Sequence, residues 1–223
     1  MPVDQQYYRE VASGSTAEKL LIAARDRIFQ DFIAHMQPSA SDEILDVGVS
    51  DVINDGANVL ERSYPHQHKI TACGLGEGVA FKAAFPLCRY VQIEPNTRLP
   101  FDDNAFDVAT SNAVLEHAGS HENQMLLVKE LCRVARRVFI TVPNRFFPVE
   151  HHTAIPLAHY FNGTFRIACS IAGKSEWTDE QNLILMTRKR LLEFTASIAK
   201  SAAVGYTGLS LGPLSSNLYL AFR

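Results

Sequence analysis

Apolar residues recur along residues 16–36 at a spacing of about 3.6, the period of an α-helix. Leu20, Leu21, Ala24, Ile28, Phe32 and Met36 form one stripe, with Arg25, Arg27 and Asp31 opposite. The pattern predicts a helix that Ser15 or Thr16 caps and that ends before Pro38. Short runs rich in β-formers follow at 43–49, 69–75, 89–94, 106–113 and 137–142, and each predicts a strand. Helical patterns lie between them at 54–64 and 121–135. Such alternation implies parallel strands joined by crossovers and covered on both faces. The unbroken apolar run Val138 to Val142 fits a strand buried on both sides. A long amphipathic helix is predicted over 179–200, then strands at 204–211 and 217–222 around a Gly212-Pro213 turn. Two strands so close together must be antiparallel. The aromatic, irregular stretch 144–178 reads as an insertion.

Composition narrows the function classes. The chain has 223 residues, enough for one domain with a full core, and its net charge is −3. No basic block of five or more residues occurs, which disfavours a nucleic-acid partner because that affinity rests on Lys/Arg–phosphate contacts. The local run Thr187-Arg188-Lys189-Arg190 reads as the solvated face of a helix. Cys73, Cys88, Cys132 and Cys169 lack C-x-x-C spacing and sit in or beside apolar runs, as buried free thiols do in a reducing compartment. The first ten residues carry no apolar signal-peptide core, and no run is long enough to span a membrane. The expectation is a cytoplasmic protein of unassigned oligomeric state.

Two segments carry the chemistry. Ile44-Leu45-Asp46-Val47-Gly48 ends the first strand, and Leu99-Pro100-Phe101-Asp102-Asp103-Asn104-Ala105-Phe106-Asp107-Val108 leads through the fourth strand to Ser111-Asn112-Ala113-Val114-Leu115-Glu116-His117. Together they resemble the class I S-adenosyl-L-methionine (SAM)-dependent methyltransferases, methyltransferase type 11 branch. The resemblance implies an α/β, Rossmann-like sheet of seven mostly parallel strands with a C-terminal antiparallel hairpin and helices on both faces. It also implies a single domain over 1–223, with 1–38 as a lid-like helical segment, Tyr7-Tyr8-Arg9 closing over the cofactor, and 144–178 facing the acceptor. It further implies SAM as cofactor, held by Asp46, Gly48 and Ser50 after strand one and by Ser111 and Asn112 after strand four. Glu94 is the nearest match to the family's Asp near the adenine, with Asn96 and Thr97 as the alternative source of adenine hydrogen bonds.

The chain departs from the family pattern at two places. Ser50 and Val52 stand where the family has its second and third glycines, a loss that argues against a dinucleotide pyrophosphate. Gly74 stands where a carboxylate usually holds the ribose, and Glu77 is the substitute candidate. These departures motivate an alternative, a non-catalytic binding or regulatory protein on the same fold.

The acceptor side falls in Pro143-Asn144-Arg145-Phe146-Phe147-Pro148-Val149-Glu150-His151-His152-Thr153, which matches a similar stretch of the family. Three readings of it stay open. His151 or His152 acts as general base toward a small or medium-sized acceptor, a hydroxyl being favoured. Glu150, His151, His152 and His159 bind a metal, although their spacing matches no tight ligand pattern, so no metal is expected. Or these residues hydrogen-bond to order the insertion. For Glu116 and His117 a capping or orienting role is at least as well supported as contact.

Overall fold

A computed structural model describes residues 16–54 and 56–223. The Tyr7-Tyr8-Arg9 expectation lies outside the described residues. The strands are β1 (Ile44–Val47), β2 (Ile70–Gly74), β3 (Arg89–Gln92), β4 (Phe106–Asn112), β5 (Ala135–Pro143), β6 (Ala202–Thr207) and β7 (Asn217–Phe222). They form one sheet in the order β3-β2-β1-β4-β5-β7-β6. β1 to β5 are parallel, and β7 runs against both β5 and β6. The topology is the one the resemblance implies. Strand order reverses at β1, between β2 and β4, so the crevice at the carboxyl ends of these strands is where a ligand binds.

The helices are α1 (Thr16–Met36), α2 (Val59–Ser63), α3 (Val79–Ala84), α4 (His121–Val134), α5 (Asn162–Ala172) and α6 (Arg188–Thr195). Successive strand residues point to opposite faces, and each face gathers its own core. On one, Ile44, Ile70, Val108 and Phe139 pack with Ile28 and Phe32 of α1 and Phe81 of α3. On the other, Leu45, Ala109 and Ile140 pack with Val128 and Leu131 of α4 and Phe194 of α6. The insertion builds a small core of its own from Phe165, Cys169, Trp177 and Leu183. All four cysteines are free and buried. Among the described residues no helix is long and apolar enough to cross a membrane.

Several predicted elements come out shorter, and at three of them tertiary hydrogen bonds claim the backbone. The helix expected over 54–64 starts only at Val59, since Asn58 is left-handed (φ 51°) and its side chain pairs with the Ser50 backbone in both directions. The helix expected over 179–200 is formed only as α6, and Thr187 caps it by accepting from the Arg190 amide. Residues upstream are committed elsewhere: Ile184 donates to the Glu116 carbonyl, and Arg145 donates to that of Met186. The strand expected over 204–211 ends at Thr207, where Gly208 turns and the Ser215 and Ser216 hydroxyls take the amides of Leu211 and Leu209.

Candidate active site

A cavity of about 610 Å³ opens at the carboxyl ends of the strands. Its floor is Asp46, Gly48 and Ser50 at the end of β1 and just beyond it, Gly74 at the end of β2, and Asn112 to Val114 at the end of β4. Glu94 to Thr97, after β3, line one end. His117 and the 147–154 loop line the other, and α1 roofs it with Leu21, Arg25, Ile28 and Phe29.

At the first end, side chains rather than glycines shape the loop. Besides the Ser50–Asn58 exchange, the Ser50 hydroxyl accepts from the Val52 amide and Asp51 accepts from the Phe81 amide in α3. Gly48 is obligatory for two reasons. Its φ is +102°, and a Cβ there would lie 2.1 Å from Val114 Cγ2. At Gly74 a Cβ would lie 2.5 Å from the Tyr90 hydroxyl, which donates to the Gly76 carbonyl. A side chain at position 74 would have to displace the Tyr90 hydroxyl, and Gly74 itself offers no carboxylate to the ribose.

Beneath this end lie two buried carboxyls, Asp46 and Glu61, with no cation beside them among the described residues. Burial pushes Asp46 up to about 7, with a hydrogen bond from Glu61 opposing it. Burial and then the Asp46 charge push Glu61 well above the carboxylate range. Groups this close cannot both ionise, so they share a proton.

The other end brings together the ends of β4 and β5. Glu150 is buried, and its oxygens accept from the His152 and Thr153 amides, the Thr153 hydroxyl and His152 Nδ1 at 2.7 Å. Burial alone would raise its pKa, but the His152 imidazole and these donors hold it well below the carboxylate range. His152 stacks on Trp177 with ring centroids 5.2 Å apart, and its edge meets His117 at 5.1 Å. His117 Nδ1 lies 2.6 Å from the Asn182 carbonyl. Burial, and then His152, lower His117 to about 3, so it is neutral near pH 7 and its 3.8 Å approach to Glu116 is not an ion pair. Glu116 is 1% exposed, and neither oxygen has a hydrogen-bond partner in another described residue. Burial pushes it up to about 7, while His152, its own amide and Arg25 pull the other way. His151 is lowered to about 4, first by burial and then by His152.

The comparisons agree with this architecture. Residues 59–138 match the family model described as a methyltransferase domain, of type 11. No curated protein matches the chain. Among solved structures, a SAM-dependent methyltransferase from Aquifex aeolicus is 14% identical, with TM-score 0.55 and 93% of each chain covered. One from Mesorhizobium loti is 11% identical, with TM-score 0.59, covering 90% of this chain and 99% of that one. Small RNA methyltransferase HEN1 is 14% identical, with TM-score 0.62, covering 96% of this chain and 26% of that one. The fold is that of class I SAM-dependent methyltransferases, and the matched segment is similar to the type 11 methyltransferase domain.

The matched segment and the fold together imply SAM as the cofactor, and the residues present fit it. The Asp46–Glu61 pair offers buried negative charge with no protein counter-ion among the described residues, which suits a cationic amino-acid moiety. Ile93 and Leu99 supply an apolar slot for a base, with Glu94 and Asn96 at its rim. SAM supplies a methyl group activated on a sulfonium.

Of the residues singled out in the sequence, Asp46, Gly48, Ser50, Glu94, Asn96, Asn112, His151 and His152 all line the cavity. Glu77 does not. It is exposed, outside the lining, on a chain that leads away to α3, and it is corrected as a ribose anchor. Ser111 does not line the cavity either: it is fully buried and donates to the Val47 carbonyl at 2.8 Å, which ties β4 to β1. The four-residue metal set also fails, because the Glu150 oxygens are fully engaged and His159 Nε2 pairs with the Phe147 carbonyl. Sequence reading missed Glu61, Asn58 and Arg25. The first two stood in a stretch taken for plain helix, and Arg25 on a face taken for solvent.

Proposed function

We propose that this chain is a SAM-dependent methyltransferase of the EC 2.1.1 class, acting on a small or medium-sized, hydroxyl-bearing acceptor that is not a nucleic acid. One observation carries the reading: a single cavity joins the SAM-type floor at Asp46 and Gly48 to the histidine cluster at its other end. Methyl transfer needs the acceptor aligned, water excluded and, for a hydroxyl, a proton removed. The α1 roof serves exclusion. His152, oriented by Glu150 through Nδ1, presents Nε2 as its working nitrogen, and His151 stands beside it on the cavity wall. Asp46, Gly48, Ser50, Glu94, Asn96 and Asn112 hold the cofactor.

HEN1 is by name a small RNA methyltransferase. For this chain a net charge of −3 and a lining with Arg25 as its one arginine or lysine among the described residues support a smaller acceptor. The free buried thiols support a cytoplasmic setting, and 1–223 reads as one unit with an acceptor-facing insertion at 144–178.

Calorimetric titration with SAM and with its demethylated product tests the reading. Micromolar binding of both is expected. No binding of either would overturn it and favour a binding or regulatory protein on this fold, an alternative that the missing carboxylate at position 74 supports.

A further inference from the structure

We infer that Glu116, His117 and His152 form a binding site for one divalent transition-metal ion at the acceptor end of the cavity. One ligand atom from each lies within 4.8 Å of the other two. Two nitrogens and one carboxylate oxygen are a donor set for zinc and its first-row neighbours, with further coordination positions left open.

Three independent features turn the cluster into a site. First, both imidazoles are oriented as ligands are. His117 Nδ1 is held by the Asn182 carbonyl and His152 Nδ1 by the Glu150 carboxylate. A carbonyl or carboxylate on one ring nitrogen fixes the proton there, turns the other nitrogen toward the metal and raises its basicity. Second, Glu116 is buried with both oxygens unpartnered by other described residues, an arrangement rare unless a ligand satisfies the group. The same burial makes its carboxyl easy to protonate without an ion and gives a cation next to it a large effect. Third, the walls are rigid. Ile184 donates to the Glu116 carbonyl, and Trp177 stacks on His152, so the segment 177–186 clamps the site from behind. Ligand atoms around zinc at about 2.0–2.1 Å stand about 3.3 Å apart, so the present spacing closes with shifts of less than about 1 Å each.

His117 and His152 both line the cavity, so the open coordination positions face the acceptor. Here the inference rests on the methyltransferase reading. An acceptor hydroxyl oxygen taken up by the ion is acidified and sheds its proton to water. That oxygen then forms the O–C bond to the activated methyl as the C–S bond breaks, leaving a methyl ether and a neutral thioether. His152 thus acts through the metal rather than as a free base, and Glu150 is a positioning residue.

The test uses the full chain, stripped with chelator and titrated with Co2+, with visible absorption and calorimetry as readouts. One equivalent with the band of a nitrogen- and oxygen-ligated ion is expected. Glu116→Gln and His117→Ala should each weaken binding more than about 100-fold, and Glu150→Gln by the ~10–100-fold that loss of an outer partner costs. Thermal melting shows that each variant is folded, and Glu116→Gln keeps the shape of the side chain. Absence of binding at millimolar Co2+, or binding undiminished in both ligand variants, overturns the site. SAM titration on the same samples separates the two readings: Co2+ bound without SAM sinks the methyltransferase assignment and leaves the metal site standing, and the converse sinks the site alone.

Discussion

The two ends of the cavity treat their polar groups differently. At the β1–β3 end the loop is closed upon itself: Asn58 answers Ser50, Asp51 answers Phe81, Tyr90 answers Gly76. The Asp46–Glu61 pair is left there in want of a counter-charge, and the buried Glu61 oxygens find no partner among the described residues beyond Asp46. At the β4–β5 end, Glu116 oxygens and His151 Nε2 remain buried and unsatisfied by other described residues. The contrast teaches where each kind of departure from a family pattern leads. Lost glycines can be replaced by side chains that hydrogen-bond the turn from within. Orphaned buried polar atoms cannot be absorbed by the protein and point to something that arrives from outside.

The sharpest way to break this contrast is at His152. His152→Ala should lower turnover by about 100-fold or more while SAM affinity stays within about twofold, as single-turnover kinetics and calorimetry would show. Equal losses in both would mean that the two ends are not functionally separate. Next comes Gly48→Ala, which forces a side chain onto Val114 at a φ that disfavours it; a loss of about 2–4 kcal/mol in denaturant unfolding is expected. Val114→Ala in the same chain should recover part of that loss, and no recovery would refute the proposed clash.

A smaller effect distinguishes the buried acids. Asp46 and Glu61 keep protons in the folded chain that the unfolded chain has shed. Their contribution is therefore full below about pH 4 and is lost as pH rises, through about 7 for Asp46 and through the raised range of Glu61. His117 and His151 act in the other direction, because their folded values of about 3 and about 4 lie below the ordinary histidine range. Their contribution is present above about pH 6.5 and is lost as pH falls toward those values. Glu61→Gln removes one acid without changing shape. It should match wild type near pH 5 and be more stable by about 1–2 kcal/mol at pH 8, as melting curves across that range would show. An unchanged difference would mean that the pair does not share a proton. The smallest expected effect belongs to Glu77→Ala, with SAM affinity within about twofold, as suits an exposed residue outside the lining. A larger loss would return Glu77 to the ribose.

The strands were legible because apolar character on both faces leaves little else for such short runs to become. Ile44 to Val47 and Val138 to Val142 are buried throughout. Gly48 was legible as a site residue, although Val114 rather than the cofactor sets the structural demand on it. The helix over 179–200 was misread because Leu183, Ile184, Leu185 and Met186 suit a buried helix as well as an extended run. The decision lay with Glu116 and Arg145, far away in sequence. Glu116 and His152 are 36 positions apart, and only the pairing of β4 with β5 makes them neighbours. Searching for ligands by spacing alone therefore gathered His151 and His159 and left out Glu116 and His117.

The contact between Gly48 and Val114 has a mechanical consequence. Val114 fills the space that a side chain at 48 would need, and Glu116 and His117 follow two and three residues later on the same short loop. The turn after β1 and the loop after β4 are therefore packed directly against each other. Any bulk added at 48 would press on the loop that carries Glu116 and His117, so the two ends of the cavity share one packing constraint.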